Sequence, residues 1–277
     1  FDQWLLDMAG DQADTLLEYF AQLLDPTCAP AKHIILEGPP GTGKSTMIRI
    51  IQSVISGHFS GQSEFCSSLT MHQLNEGGFH TKQLVGRLFN SAGELKAEEI
   101  NDITEFKMLT GDDAITANVK NGEHITFRPR ALFCFAMNEF PKIRDAEPYF
   151  RRVAPFRFGN QVGKNTPDPT IEHRIRTSEL SGVLSRLVNA RRTTLDRGHL
   201  PGVRRDVIIR FQGETNPVLA WYYSADNPFE PGWHAIKDVY NVYRASMVDQ
   251  GSEYDSPIIF SKRLEGCLLY TSDAADD

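Results

Sequence analysis

What this 277-residue chain lacks narrows it first. Its four cysteines, Cys28, Cys66, Cys134 and Cys267, include no C-x-x-C pair and no metal-like spacing. Neither a disulfide framework nor a zinc site is therefore expected, and the thiols read as free in a reducing cytosol. The eight histidines form no H-E-x-x-H and no cluster with cysteine, so His33 and His80 read as structural or surface residues rather than ligands. No apolar run approaches the ~20 residues needed to span a bilayer. The opening FDQWLLDMAG lacks the basic stretch of a signal peptide. Internal repeats and low-complexity segments are missing as well. So is a basic surplus: 29 Lys and Arg face 36 Asp and Glu, for a net charge of −7. That excludes a uniformly basic protein that coats nucleic acid. It leaves open a nucleic acid held in a narrow basic channel, where the local field decides.

Apolar content of 40% with 23% charged residues is that of a globular chain, long enough for one large α/β domain and a small satellite. The terminus CLLYTSDAADD reads like translated sequencing-adapter sequence. Residues 267–277, with three of the acids (Asp273, Asp276, Asp277), are accordingly set aside as a non-native tail. With Phe at position 1, both ends read as cut.

Along the rest, Leu16, Leu17, Phe20, Leu23 and Leu24 predict an amphipathic helix within an N-terminal helical segment, 1–30. Strands alternate with helices over 31–160, which predicts an α/β fold on a central parallel sheet. Apolar runs reach Ala92 before Gly93-Glu94, and Ala131 to Met137 form a continuous apolar strand. Ile100, Ile103, Phe106 and Leu109 keep helical spacing up to Gly111-Asp112-Asp113. Two alternating segments, 114–119 and 123–127, flank Asn121-Gly122, a hairpin turn signal. The polar stretch 159–169 reads as a boundary into a mostly helical region, 161–266. Its helices are marked by Leu180, Val183, Leu184, Leu187 and Val188, by Ile236, Val239, Tyr240, Tyr243 and Met247, and by Ser256-Pro257.

The segment GPPGTGKST carries the chemistry: Gly38, Pro39, Pro40, Gly41, Thr42, Gly43, Lys44, Ser45 and Thr46. It fits G-x-x-x-x-G-K-[ST], with the apolar run His33 to Leu36 before it and helical periodicity (Met47, Ile48, Ile51, Val54, Ile55) after it. Glycines let backbone N–H groups turn inward around phosphates, Lys44 would reach the β- and γ-phosphates, and Ser45 would hold Mg²⁺. The helix start adds unpaired N–H groups and a positive dipole end. ATP or GTP, with Mg²⁺, is the expected ligand. The loop alone fits a kinase, a GTPase, a transporter ATPase or a motor.

Four further features bear on that choice. Glu94, at the end of an apolar strand, can orient Mg²⁺ and activate an attacking water, or serve as an acid near a helix start. Asn138, after the strand ending at Met137, can bond the γ-phosphate or the lytic water, or be a plain turn residue. Arg151-Arg152 can supply an arginine to a neighbouring subunit's phosphates, worth about 10³–10⁵ in rate, or be a solvated pair. Lys120, beside the hairpin tip, can grip a nucleic-acid phosphate or be an ordinary turn lysine.

Their order is informative. GPPGTGKST, FNSAGEL, EFKMLTGDDAITA, NGEHITFRPR, ALFCFAMNEFP and FRRVAPFRF succeed one another in a pattern that resembles superfamily 3 helicases. Within these it is similar to the helicase half of phage, plasmid and poxvirus-type primase–helicases. Residues 10–160 match motif by motif; residues 178–266 match more loosely. The resemblance implies an AAA+-like P-loop NTPase core at 31–160 and a winged-helix-like C-terminal region. It implies an ATP-hydrolysing ring, usually a hexamer, around single-stranded or forked DNA in phage or plasmid replication. An upstream primase domain and the cytoplasm of a bacterial or phage-infected cell follow from it as well. By motif, Lys44 and Ser45 bind phosphate and Mg²⁺, Glu94 acts as general base and metal-side acid, and Asn138 senses the γ-phosphate. Arg152, before Arg151, would act on a neighbour's ATP, while Lys107, Thr110 and Lys120 would touch DNA. Two departures stand out: Gly-Asp-Asp at 111–113 where the family has Gly-Gly-Asp, and a hairpin with few basic residues. A nucleotide-dependent switch or loader, and an AAA+ ATPase acting on protein, are the alternatives.

Overall fold

The computed structural model describes residues 1–57, 64–95, 103–117, 124–141, 143, 147–159, 168–230 and 232–264. Chain order begins with helices α1 (Asp2–Ala9) and α2 (Ala13–Phe20), the latter continued by a 3₁₀ turn to Leu24. Strand β1 (His33–Glu37) leads through a glycine-rich loop into α3 (Lys44–Ser56). Then follow β2 (Cys66–Ser67), α4 (Met71–Glu76), β3 (Phe89–Leu95) and α5 (Thr104–Leu109). Strands β4 (Ile115–Ala117), β5 (Ile125–Phe127) and β6 (Leu132–Met137) come next, then α6 (Glu147–Phe150) and β7 (Val153–Arg157). The remainder is helical: α7 (Ile171–Arg174), a π-helical turn (Ile175–Glu179), α8 (Leu180–Arg197), α9 (Arg205–Thr215), α10 (Pro217–Tyr222), α11 (Ile236–Asp249) and a helix at 257–264.

Five strands pair in the order β2-β3-β6-β1-β7, all parallel. This is an α/β fold. Side chains alternate between the two faces of each strand, and both faces are covered. Ile34, Leu36, Cys134, Ala136 and Phe156 pack with α1, α2, α3 and α8. Ile35, Phe133, Phe135 and Met137 pack with α4, α5, α6 and α9. That double burial explains why the middle of β1, Ile34 to Leu36, and all of β6 are apolar rather than alternating.

Helix α4 begins with a full capping box, Thr70 accepting from the Gln73 N–H and Gln73 accepting from the Thr70 N–H. Buried Asn90 on β3 ties down the residues after β2, accepting from the Leu69 N–H and donating to the Leu69 carbonyl. Helix α8, beyond the polar stretch at 159–169, packs back on the N-terminal helices. Arg197 reaches Glu18 at 2.8 Å and Arg191 reaches Asp25 at 2.7 Å. A separate small core forms around Trp221, Tyr243, Met247 and Phe260. The described residues after Arg157 carry helices and no strand.

His33 is buried and stacks on Phe133, with ring centroids 4.7 Å apart. Its Nδ1 accepts the Phe133 N–H at 3.0 Å. Burial, with Arg152 nearby, lowers its pKa to about 3, so the ring is neutral. Cys28, Cys66 and Cys134 are free thiols, and burial raises the pKa of Cys134; Cys267 lies outside the described residues. Among those residues no cluster of His, Cys, Asp and Glu could hold a metal, and no helix is long and apolar enough to cross a membrane.

Candidate functional site at the carboxyl edge of the sheet

Strand β1 sits between β6 and β7, and the chain leaves β1 and β6 in opposite directions. From β1 it runs toward β2 at the far edge, with α3 on one face; from β6 it crosses to β7, with α6 on the other. Open α/β sheets bind ligands at such a divergence, outside the carboxyl ends of the strands. The loop at 38–43 and Asn138 both lie there.

Three glycines shape the loop, with φ of 153° at Gly38, 79° at Gly41 and 85° at Gly43. Gly38 is also closed in by packing. A Cβ there would lie 2.0 Å from the Phe158 carbonyl oxygen, because Phe158 N–H bonds the Glu37 carbonyl at 2.7 Å. At Gly41 the same atom would meet open space; at Gly43 it would touch Trp4 and Met8 of α1. The Thr42 hydroxyl donates to the Pro39 carbonyl at 2.9 Å and fixes the turn. Pro40 and Gly41 are exposed on its outside.

Lys44 opens α3 and is buried. Its ammonium donates to the Gly38 carbonyl at 2.5 Å, the Pro39 carbonyl at 2.8 Å and Asn138 Oδ1 at 3.1 Å. Two predicted residues, 94 positions apart in sequence, thus meet across the mouth of the site. Ser45 is exposed in the same first helical turn, and Thr46 bonds Glu172 at 3.4 Å.

The pairing of β3 with β6 slips between Ala92 and Leu95, so that β3 carries an extra residue where Gly93 and Glu94 stand. Bulges of this kind break the strand's two-residue alternation and recur beside functional sites. The side chain of Glu94 lies outside the described residues, as does Lys120.

Arg152 is at the other end of the sheet. Its carbonyl accepts from the His33 N–H at the start of β1, whose five residues span roughly 16 Å before the loop begins. One guanidinium nitrogen donates to the Pro148 carbonyl at 2.9 Å, while Arg151 is exposed. Lys107 and Thr110 stand together at the end of α5. The Thr110 hydroxyl is engaged locally, donating to the Phe106 carbonyl at 2.6 Å.

Two neighbours of the loop carried no sequence signal. Glu37, the last residue of β1, is buried, with one oxygen 3.0 Å from Arg210 of α9 and the other buried without a partner among the described residues. Burial raises its pKa against the opposing pull of Arg210 and Arg157. Glu172 of α7 grips the outer face of α3 through Arg49, at 2.5 and 2.7 Å, and pairs with Arg176. Burial pushes its carboxyl up, but the hydrogen bonds from Arg49 and Arg176 outweigh it and the net shift is downward. The Glu37–Arg210 and Glu172–Arg49 pairs join residues far apart in the chain, so no local pattern could have exposed them.

Residues 36–152 match the model of a family of unknown function (DUF5906), a span that holds every predicted site residue. No curated protein matches the sequence. Among solved structures, the A-form apo structure of the NrS-1 C-terminal region aligns with a TM-score of 0.57 at 17% identity. The alignment covers 78% of this chain and 50% of that one. A second apo structure of the NrS-1 C-terminal region (305–718) gives 0.57 at 15% identity, over 91% of this chain and 59% of that one. The chain thus spans half to three-fifths of the length of these structures. At such identities the likeness is one of fold.

Proposed function

We propose that this chain is an ATP-driven translocase on single-stranded DNA, the helicase portion of a superfamily 3 type protein of phage or plasmid replication. The observation that carries the reading is the Lys44–Asn138 contact at 3.1 Å. It joins a glycine loop after one strand to an amide after the neighbouring strand, at the divergence point of the sheet. The cradle suits an anion. Its three glycines take positive φ that turns the loop backbone, and its buried ammonium is bonded to loop carbonyls that a phosphate oxygen can replace.

On this reading the core is an AAA+-like P-loop NTPase, and the loop N–H groups with Lys44 hold the β- and γ-phosphates. Ser45, together with Glu94, would hold Mg²⁺, which when bound neutralises charge on the phosphates. Glu94 takes the proton of the attacking water. Asn138, released from Lys44, bonds the γ-phosphate or that water. Arg152 lies a strand's length from its own loop, so it can serve only the site of another copy, in a ring. Phosphoryl transfer needs positioning and charge stabilisation rather than covalent help, and these residues supply both. On the same reading the C-terminal region is winged-helix-like; its described residues hold a small helical core around Trp221.

The test is steady-state ATP turnover with and without single-stranded DNA, beside Lys44→Ala. DNA-stimulated turnover that disappears in the variant is expected. Turnover indifferent to DNA would favour an ATPase acting on protein, and turnover that survives Lys44→Ala would remove the site itself.

A further inference from the structure

At the foot of the β4–β5 hairpin, Asp112 has φ of 61°, the one positive value at a non-glycine position among the described residues. The left-handed region costs an L-residue roughly 1–2 kcal/mol, and aspartate tolerates it better than most. At Gly111 before it, an added Cβ would press on the Lys107 carbonyl oxygen at 3.0 Å, a contact relieved by a shift of a few tenths of an ångström. Asp112 itself would fit equally well as glycine.

Two arginines converge on this residue from across the hairpin. Arg128 follows β5, whose Phe127 pairs with Ile115, so the register brings it level with the residues just before β4. Its Nη1 donates to the Asp112 carbonyl at 2.6 Å. Arg130 donates to Asp112 Oδ1, also at 2.6 Å. The cluster faces solvent: the side chains of Asp112 and Arg128 are 56% and 57% exposed, and that of Arg130 26%. Lys107 lies one helical turn away at the end of α5. Two guanidiniums converge on one exposed residue, Arg130 on its carboxylate and Arg128 on its main-chain carbonyl, and such a pair matches what a phosphodiester offers.

We propose that Arg128 and Arg130 form a phosphate clamp for single-stranded DNA, and that Asp112 is an internal stand-in for the phosphate which the incoming strand displaces. The proposal rests on the translocase reading and deepens it: DNA contact begins at the foot of the hairpin, not solely at its tip. The carboxylate sets a threshold. It holds Arg130 in the free protein, beside Arg128 on the main-chain carbonyl, and yields only to a ligand that offers more negative charge. The sparse basic residues of the hairpin itself then cease to be an anomaly, because the cations stand just after it.

Asp112→Gly removes the competing carboxylate while easing the backbone, so it tests the clamp without a folding penalty. Binding of a fluorescein-labelled oligothymidylate is followed by anisotropy across a salt series, without nucleotide. Asp112→Gly is expected to bind severalfold, up to about tenfold, more tightly. Arg128→Gln/Arg130→Gln is expected to bind more weakly, with a log K against log salt slope shallower by about 1.4, that is ~0.7 for each lost phosphate contact. Equal or weaker binding by Asp112→Gly, or an unchanged slope in the double variant, would make the cluster a brace of the hairpin and overturn the clamp. Absence of binding by every form would overturn it too. Turnover of the unmodified chain without DNA judges the parent reading separately. A chain that hydrolyses ATP but ignores Asp112→Gly refutes the clamp alone, and one with the expected binding order but no turnover refutes the ATPase alone.

Discussion

The glycine loop permits a quantitative test, because its three glycines are required to different degrees. Replacing Gly41 by alanine costs only the backbone term, about 1–2 kcal/mol for an L-residue at positive φ, since nothing lies within 4 Å of the added methyl. Gly43→Ala carries that term and a contact with Trp4 and Met8, flexible side chains 3.1–3.2 Å from the new atom that can yield. Gly38→Ala is the severe case. The methyl would lie 2.0 Å from a backbone oxygen, so the end of β7 must retreat by about 1 Å to reach a normal contact. The Phe158 N–H bond to the Glu37 carbonyl, now 2.7 Å, stretches or breaks, at about 1 kcal/mol net. Overpacking adds roughly 1–3 kcal/mol. With the backbone term, the total for Gly38→Ala is about 3–6 kcal/mol. At ~2–4 °C per kcal/mol for a chain of this size, thermal melts should fall in the order Gly41→Ala, Gly43→Ala, Gly38→Ala. The first should lose a few degrees and the last 10 °C or more. A Gly41→Ala variant less stable than Gly38→Ala would refute the packing argument, and with it the close seat of the loop on the end of β7.

Three further outcomes are expected. His33, with its pKa lowered to about 3 by burial, supplies stability that is complete above the unfolded pKa near 6.5 and lost as pH falls. The loss is about 1.4 kcal/mol per pH unit between 6.5 and 3. Urea melts of His33→Gln, which retains an acceptor for the Phe133 N–H but cannot titrate, should show a flatter slope over that range; an identical slope would mean another group titrates. Glu37 has the opposite sign: its pKa is raised by burial, so its contribution is complete below the unfolded carboxyl pKa and lost as pH rises through the folded one. Glu37→Gln should therefore gain on the parent in melting temperature from pH 4 to pH 8, and a variant that loses ground instead would show that Arg210 dominates. Finally, Arg152→Ala and Glu94→Ala proteins, each inactive alone, should regain some ATP turnover when mixed, because a mixed ring pairs an intact Glu94 with an intact Arg152. No recovery at any ratio would count against action between copies.

The sequence disclosed the parts of this structure that obey local rules. The apolar runs of β1 and β6 and the helix at 180–197 follow from composition and period alone, and each is where the periodicity places it. The hairpin strands pair antiparallel on either side of Asn121-Gly122, but with Ala117 opposite Ile125, one residue off the 117–126 pairing that a two-residue turn there would set; the tip lies outside the described residues. What stayed hidden depends on distant partners. Helix α1 falls in the helical segment expected at 1–30, but its bounds are not legible there, because its buried face, Leu5, Met8 and Ala9, is defined by contact with the sheet and with Gly43 rather than by a long apolar stripe. Glu37 looks like a strand-terminal acid until α9 brings Arg210 to it. Asp112 is an intermediate case, because its departure from the family pattern was visible as a residue but its consequence was not. An aspartate stands where the family pattern has glycine, and that change gives the site a charge for Arg130 to hold beside the main-chain carbonyl that Arg128 takes. Where a sequence spends a strained backbone position on a charged side chain, the charge is the feature to explain. Here its partners, and not its own conformation, indicate what it does.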